Sequence, residues 1–353
     1  MSDARKLEPG EPRSSGTITK RRVLQPWPKD RRLRILSIDG GGIRGIFPAT
    51  ILAGLERAYT GGSSIGNYFD LVAGTSTGGI LALGLGAGYS ANELLELYTE
   101  RGCEVFPPFP DNKIGRLRAK IRSASQYAHY LYDRSALTSL LSEKLGEKTI
   151  GDSRVRLCIP AFEGQHSEVF VYKTPHHPDY KTDRFETMVS AALATSAAPT
   201  YFRPLEHNSY VLVDGGVWAN NPVMIALIEA LTCFDIPREQ IDILTIGCGN
   251  DPYVVSSAEI KLGGIWHWKR LILAAMRLQA MAATNQARLL VGFPSVIRLE
   301  APVFQPTIAL DDWRGSMEKL LPAAEAAVAA NGEVISEVFL QTAADQYVPF
   351  PPT

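Results

Sequence analysis

The fold is decided by residues 71–79, Leu71-Val72-Ala73-Gly74-Thr75-Ser76-Thr77-Gly78-Gly79, and by the apolar run from Ile80 to Leu85 that follows. An apolar run that ends in Gly-x-Ser-x-Gly and then resumes is typical of a strand that turns sharply into a helix with a serine at the corner. The strand brings the serine to the edge of a sheet, and the helix N-terminus places free N–H groups and partial positive charge beside it. The stretch therefore predicts a nucleophile at Ser76. The alternative is a serine that only caps a helix in a glycine-rich turn.

Composition limits the classes of protein that the chain can belong to. The 353 residues are 45% hydrophobic and 21% charged with a net charge of −1, which indicates a globular protein and no DNA or RNA partner. Four scattered cysteines fit reduced thiols in a cytoplasm, and they predict no metal site. The charged N-terminus does not resemble a signal peptide. Residues 71–88 are long enough to span a bilayer, but they are rich in Gly, Ser and Thr and are predicted to form core.

Strands and helices alternate along most of the chain, which predicts a three-layer α/β fold with a mostly parallel central sheet and helices on both faces. We expect three parts. Residues 1–32 form a basic, flexible N-terminal extension, and residues 33–300 form one domain with a basic insertion at about 104–130. Residues 301–353 form a helical C-terminal segment that packs on the same domain.

A second glycine-rich motif, Asp39-Gly40-Gly41-Gly42-Ile43-Arg44-Gly45, lies between a predicted strand and a predicted helix. Its spacing fits the dinucleotide-binding fingerprint G-x-G-x-x-G, which also requires an acidic residue about 20 positions later. Residues 57–69 contain no such acid. The second interpretation is an oxyanion hole, in which successive N–H groups of this loop hold negative charge. A serine nucleophile one strand later favours the oxyanion hole.

Two residues are candidates for the base that takes the proton of Ser76. His267 would complete the chain order Ser, Asp, His of α/β-hydrolases, but it is predicted at the start of a helix instead of in a loop after a strand. Asp214 follows a short predicted strand, where catalytic groups of open α/β sheets gather. A partly desolvated carboxylate within hydrogen-bond reach can act as a general base.

Four blocks in this order resemble the patatin-like phospholipases: Asp39 to Gly45, Gly74 to Gly78, Ala194-Thr-Ser-Ala-Ala-Pro-Thr-Tyr201, and Asp214-Gly215-Gly216. The resemblance extends from about Leu33 to Leu299. It implies a Ser76–Asp214 dyad without histidine, supported by Gly74, Gly78, Gly215 and Gly216. It also implies an oxyanion hole formed by Gly40, Gly41, Gly42, Ile43, Arg44 and Gly45, and hydrolysis of acyl esters of membrane glycerophospholipids. No metal or cofactor is implied for catalysis.

A finer resemblance is to the patatin-like effectors of bacterial anti-phage systems. It implies activation by a cyclic dinucleotide that a partner nucleotidyltransferase makes, followed by degradation of the cell's own membrane. Such a protein would be cytoplasmic, would act at the inner face of the membrane and could form homo-oligomers. Cations next to aromatic residues are the candidate nucleotide or lid contacts: Arg116, Arg118, Arg122, Tyr130, Lys269 and Arg270. The alternatives are a constitutive patatin-like lipase, a dinucleotide-dependent oxidoreductase and a non-catalytic lipid- or nucleotide-binding protein.

Overall fold

The computed structural model describes residues 22–108, 110, 129–249 and 271–351, and for residues 271–274 it describes the backbone alone. The strands of these residues are β1 (Gln25–Pro26), β2 (Leu33–Ile38), β3 (Leu71–Gly74), β4 (Arg156–Glu163), β5 (Glu168–Lys173), β6 (Leu205–His207), β7 (Tyr210–Asp214), β8 (Phe234–Asp235), β9 (Ile241–Ile246) and β10 (Val296–Leu299). The α-helices are α1 (Ile46–Tyr59), α2 (Thr77–Gly86), α3 (Ala91–Thr99), α4 (Gly102–Val105), α5 (Ser135–Leu145), α6 (Met188–Thr195), α7 (Gly216–Ala219), α8 (Val223–Cys233), α9 (Leu271–Val291), α10 (Trp313–Gly315) and α11 (Leu321–Ile335). Residues 42–45 form a 3₁₀ turn, and π-helical segments at 316–320 and 336–340 flank α11.

The central sheet has the strand order β10-β9-β2-β3-β4-β7-β6, and β5 pairs with β4 outside this path. From β10 to β4 all neighbours are parallel, whereas β5 and β7 run antiparallel to β4 and β6 runs antiparallel to β7. The predicted α/β fold with a mostly parallel sheet is confirmed. The antiparallel pairs β4–β5 and β6–β7 are each joined by a short connection without a helix, because a short connection joins antiparallel strands only.

Two apolar cores lie on the two faces of the sheet, as expected for a three-layer fold. All six residues of β2 are buried. Leu36 and Ile38 pack in the core that contains α1, α2, α3, α5 and α6, while Leu33 and Ile35 pack in the core that contains α8 and α9. Alternate residues of one strand therefore face opposite layers, because side chains alternate across a strand.

The last third of the predicted N-terminal extension, residues 22–32, differs from the prediction of a flexible segment. Arg22 Nη1 donates to Thr232 Oγ1 at 2.8 Å, and β1 pairs with β8. Trp27 is 7% exposed and packs edge-on against Phe234. Residues 22–32 are thus held by an aromatic contact and a strand pairing that charge and proline content do not reveal. Residues 1–21 lie outside the described residues.

The C-terminal segment contributes to the core on the α1 side of the sheet. Leu320, Ala324, Ile335 and Phe339 are all buried there. Arg34, at the start of β2, donates through Nη1 to the carbonyls of Phe339 and Thr342 at 2.8 and 2.6 Å. No helix among the described residues has the length and apolar character that crossing a bilayer requires.

Candidate active site

Ser76 lies at the sharp turn between β3 and α2. Its backbone has φ 55° and ψ −120°, a conformation that a side chain other than glycine rarely adopts and that costs of order 1–3 kcal/mol. The flanking glycines permit this turn by close approach. A Cβ on Gly74 would lie 2.0 Å from the carbonyl oxygen of Gly78, and one on Gly78 would lie 2.2 Å from that of Ile38. The strained turn directs the serine side chain into a cavity above the sheet edge.

Ser76 and Asp214 are brought together by two strands that point at each other. β5 covers one edge of β4 from Cys158 to Glu163, so β3 and β7 must both lie along the other edge. There β3 pairs in parallel with residues 156–158, and β7 pairs antiparallel with residues 161–163. The carboxyl ends of β3 and β7 therefore meet head to head, and each continues into one of the two candidate catalytic residues.

Asp214 is buried, with 4% of its surface exposed. Burial raises the pKa of its carboxyl to about 6, although the Gly216 N–H and the Ser76 hydroxyl act in the opposite direction. The Gly216 N–H lies 2.7 Å from Oδ1. A carboxylate with a pKa near 6 is ionised at neutral pH yet basic enough to accept a proton during a reaction. The Ser76 hydroxyl, which would lose that proton, lies close enough to lower the pKa of this carboxyl.

The glycine loop forms another wall of the site. Residues 40–44 all line the cavity that Ser76 and Asp214 face. The Gly40 N–H donates to Asn220 O at 3.0 Å and the Ile43 N–H donates to Leu310 O at 2.9 Å, so these two amides are already engaged. The Arg44 N–H donates to Gly41 O at 3.2 Å. Among the described residues, no backbone acceptor faces the amides of Gly41 and Gly42, which leaves these two as the best placed for an oxyanion.

A buried ion pair holds the start of this loop. Arg298 in β10 donates to Asp39 through Nη1 at 2.8 Å and through Nη2 at 2.6 Å, and Nη1 also bonds Thr245 Oγ1 at 2.8 Å. Glu300 binds the same guanidinium and accepts from the Gly249 N–H at 2.9 Å. Two parallel charge-assisted bonds fix the carboxylate in one orientation. The glycine loop is thereby anchored to the two strands on its far side, β9 and β10.

The cavity has a volume of about 740 Å³, and most of its lining is apolar. Side chains from α2, α3, α5 and the segment 199–202 form much of its wall, among them Ile80, Leu97, Leu137, Leu141 and Phe202. The charged residues among the described lining are Arg44, Asp214 and Arg277. An apolar cavity of this size with a few polar groups at one end suits a ligand that has a long apolar part and a polar or anionic head.

The family model for patatin-like phospholipases matches residues 36–227. The chain belongs to the patatin-like phospholipase family. It is 38% identical over 265 residues to a protein of Vibrio cholerae named cGAMP-activated phospholipase. The aligned region covers 69% of this chain and 74% of that protein. A protein of the same name from Escherichia coli is 37% identical over 265 residues, covering 69% of this chain and 72% of the relative. A patatin-like protein 2 from rice is 32% identical over 275 residues, covering 68% of this chain and 67% of the relative.

These similarities confirm the resemblance that the four sequence blocks predicted, and they identify an enzyme of the patatin-like phospholipase type. They also disfavour one of the two interpretations of the Asp39–Gly45 motif. A patatin-like domain that begins at the motif's own strand disfavours the dinucleotide-dependent oxidoreductase. The dyad and the oxyanion hole remain predictions, which the geometry above supports residue by residue.

The histidines of this patatin-like protein do not contact Ser76 where the structure describes them. His166 bonds Glu163, His176 bonds Glu229, His177 bonds Val23 O and His207 bonds Glu186. His129 is exposed, and no described histidine lines the cavity. His267, the alternative base, lies outside the described residues.

Of the candidate nucleotide contacts, the structure describes Tyr130. Its side chain is 45% exposed, and it is absent from the described cavity lining. The next residues, Leu131 and Tyr132, donate backbone N–H groups to Thr200 O and Tyr201 O at 3.0 Å each, so the chain after Tyr130 joins the cavity wall. Arg116, Arg118, Arg122, Lys269 and Arg270 lie outside the described residues.

One group of described side chains has the composition of a metal site. One ligand atom from each of His176, Glu229 and Cys233 lies within 4.8 Å of the others, and all three residues are buried. Lys173 Nζ already lies 2.6 Å from Glu229, and Arg22 lies 3.9 Å from it. These cations compensate the charge of the Glu229 carboxylate. Burial alone would raise the pKa of this carboxyl, but His176 and Lys173 hold it well below its usual range. The group lies outside the described lining of the Ser76 cavity.

Sequence reasoning missed Arg298 and Thr195. Arg298 could have been found, because a cation inside the short apolar strand Val296–Leu299 needs a buried partner. Thr195 is part of the Ala194–Tyr201 block, but its spacing indicates no role. Its hydroxyl bonds the backbone of Ser76, and only the fold brings these two residues together.

Proposed function

We propose that this chain hydrolyses fatty-acyl esters of membrane glycerophospholipids, with Ser76 as nucleophile and Asp214 as general base. The observation that carries the proposal is that Ser76 and the buried Asp214 carboxylate line one cavity, close enough for the Ser76 hydroxyl to lower a carboxyl pKa that burial raises to about 6. A serine alone is a weak nucleophile and needs an adjacent base. The apolar cavity that both residues line provides room for an acyl chain beside them.

In the proposed reaction, Asp214 accepts the proton as Ser76 Oγ attacks the ester carbonyl. The amides of Gly41 and Gly42 stabilise the oxyanion, where one well-placed donor is typically worth about 3 kcal/mol. The protonated Asp214 then gives its proton to the leaving alcohol. Water attacks the acyl-serine with Asp214 again as base, which releases the fatty acid and restores the serine. Arg44 and Arg277 line the same cavity and supply positive charge for the lipid phosphate.

We further propose that a cyclic dinucleotide switches this activity on and that the protein acts peripherally at the membrane. Two relatives at 37 and 38% identity are named cGAMP-activated phospholipases, which supports the first part. Exposed apolar side chains on α9 support the second. Leu278, Met281 and Leu289 are 62, 50 and 84% exposed, and Met276 and Arg277 of the same helix line the cavity. An anti-phage role and a partner nucleotidyltransferase follow from the same proposal.

The test compares the wild type, Ser76→Ala and Ser316→Ala, a buried serine outside the described cavity lining. Each is assayed on a soluble short-chain ester and on phosphatidylglycerol vesicles, with and without a panel of cyclic dinucleotides that includes cGAMP. Vesicle binding is followed by cosedimentation. We expect wild type and Ser316→Ala to hydrolyse vesicle lipid only after one nucleotide is added, and Ser76→Ala to lose turnover by at least about a thousandfold under every condition.

Each other outcome removes one part of the proposal. Full turnover by a folded Ser76→Ala protein would exclude the serine mechanism. Equal turnover with and without nucleotide would leave a constitutive patatin-like lipase. Hydrolysis of the soluble ester without binding to or hydrolysis of vesicles would exclude the membrane as the site of action. Tight nucleotide or lipid binding with no turnover in any protein would favour the non-catalytic binding protein.

A further inference from the structure

The head-to-head meeting of β3 and β7 leaves a gap along the shared edge of β4. β3 pairs as far as Cys158 and β7 starts its pairing at Ala161, so Ile159 and Pro160 have no strand partner on this edge. Because proline lacks a backbone N–H, the carbonyl oxygen is the only backbone group of Pro160 that needs a hydrogen-bond partner. Its carbonyl oxygen points into the gap, because a Cβ built on Gly215 would lie 2.3 Å from it. A buried carbonyl in this place needs a donor from outside the sheet.

The donor is the hydroxyl of Thr195, the last residue of α6. Thr195 Oγ1 donates to Pro160 O at 2.5 Å and accepts the backbone N–H of Ser76 at 3.0 Å. Thr195 is fully buried. One hydroxyl, with one proton and two lone pairs, thereby satisfies a carbonyl of β4 and an amide of the serine turn.

The neighbouring backbone holds the other member of the dyad. The Asp214 N–H donates to Ala197 O at 3.1 Å, two residues after Thr195. Asp214 also pairs with Ala161, the residue after Pro160. The segment 195–197 therefore binds the backbones of both Ser76 and Asp214, and the strand segment 160–161 binds Thr195 and Asp214.

We infer that Thr195 is a positioning residue that fixes the separation of Ser76 from Asp214 by bridging the gap between β3 and β7. Ser76 adopts φ 55°, and a strained turn keeps one orientation only when its surroundings determine it. The hydrogen bond to Thr195 holds the Ser76 amide toward β4, which keeps the hydroxyl on the side of Asp214. A misplacement of about 1 Å in such a pair can cost about a hundredfold in rate. This inference rests on the proposed roles of Ser76 and Asp214.

The test uses Thr195→Val, which keeps the shape of the side chain and removes the hydroxyl, and Thr195→Ser, which keeps the hydroxyl. Thr50→Val is the matched control, because Thr50 is also buried and donates to a carbonyl, Ile46 O at 2.7 Å, but lies in α1 outside the described cavity lining. Turnover of a soluble ester is measured with the nucleotide condition that gives the wild type its highest rate. The rate of covalent labelling of Ser76 by a fluorophosphonate probe and the unfolding midpoint are measured in parallel.

We expect Thr195→Val to lower kcat and the labelling rate by about 10- to 100-fold with KM changed less than about twofold. We expect Thr195→Ser to recover most of the rate, and Thr50→Val to lower the unfolding midpoint without slowing the labelling of Ser76. A wild-type kcat in folded Thr195→Val, or an equal loss of rate in Thr50→Val at the same midpoint, would overturn the inference.

Two further comparisons cover the cases in which Thr195→Val does not fold or the proposed serine mechanism fails. If Thr195→Val does not fold, Thr195→Ser is compared with Thr195→Cys, whose thiol is a weaker donor and acceptor. Equal labelling rates in these two variants at equal unfolding midpoints would overturn the inference. Full turnover by Ser76→Ala would overturn it together with the proposed function. An inactive Ser76→Ala beside a fully active Thr195→Val would overturn it alone.

Discussion

Two buried aspartates lie where strands of the central sheet end, and they differ in the charge of the groups that contact them. Asp39 follows β2 and Asp214 ends β7, and they are 1 and 4% exposed. Burial raises the pKa of each carboxyl to about 6. Asp39 is held by both Nη atoms of Arg298, at 2.8 and 2.6 Å. Among the described residues, the groups that lower the pKa of the Asp214 carboxyl are the Gly216 amide and the Ser76 hydroxyl, both of them neutral.

The charge of the contacting groups separates a structural carboxylate from a candidate base. At Asp39 a cation balances the charge, and the result is a fixed anchor for the glycine loop. At Asp214 no cation of the described residues forms an ion pair with the carboxylate, so accepting a proton, as we propose that it does from Ser76, relieves an unfavourable state. Perturbed carboxyls occur in structural ion pairs as well as in catalytic sites. The partner, and not the shifted pKa, therefore separates the two roles.

The largest expected effect is that of Asp214→Asn. We expect turnover to fall by about three to four orders of magnitude, because the amide cannot accept the serine proton. We also expect the free energy of unfolding at pH 7 to rise by up to about 3 kcal/mol, since two pKa units correspond to about 2.7 kcal/mol. In the wild type, the native state holds the Asp214 proton more tightly than the unfolded state does, so the free energy of unfolding declines as pH rises from about 4 to about 6. The neutral amide of Asp214→Asn avoids this loss. Urea unfolding at pH 7 and at pH 4 checks the sign. A less stable Asp214→Asn protein at pH 7 would place Asp214 with Asp39 as a structural residue.

The second effect is that of Asp39→Asn, which we expect to destabilise the protein. Removing one partner of a buried ion pair leaves Arg298 without its main counter-charge, which typically costs about 3–5 kcal/mol. Thermal and urea unfolding measure this loss. The double variant Asp39→Asn with Arg298→Met should recover part of it, because the unpaired guanidinium is then gone. A stable, active Asp39→Asn protein would remove the contrast between the two aspartates.

The third and smallest effect is on the pH dependence of turnover. We expect kcat/KM on a soluble ester to fall about tenfold per pH unit below about pH 6 and to be constant above it, because protonated Asp214 cannot act as base. Arg298→Lys provides the control, since it weakens the bidentate contact to Asp39 and leaves Asp214 untouched. A midpoint that shifts in Arg298→Lys would assign the titration to Asp39. A rate that is independent of pH between 5 and 8 would exclude a base with a raised pKa.

Local sequence patterns predicted the elements of the fold well. The alternation of strands and helices predicted the mostly parallel α/β sheet, and the strand and helix expected on either side of the Asp39–Gly45 motif are β2 and α1. The serine turn and Asp214 were predicted because strand, glycine and polar residue follow each other within a few positions. Each of these features is encoded in neighbouring residues.

Features that depend on distant residues were not predicted. Arg298 binds Asp39 from 259 positions away and Thr195 binds Ser76 from 119 positions away, and no local pattern indicates either pairing. The packing of residues 22–32 was missed for the same reason, because Trp27 is covered by Phe234 from a far part of the chain. The engaged amide of Gly40 likewise depends on Asn220 O, which the glycine motif does not reveal.

The head-to-head meeting of β3 and β7 also determines when the enzyme can first become active during its synthesis. Ser76 is translated early, but β7 and Asp214 follow only after β4, β5 and α6. A ribosome-bound chain that ends before Tyr210 has Ser76 but neither Asp214, the base that we propose for it, nor the strand that carries Asp214 to the serine. The proposed dyad therefore predicts that copies released before this point hydrolyse no lipid.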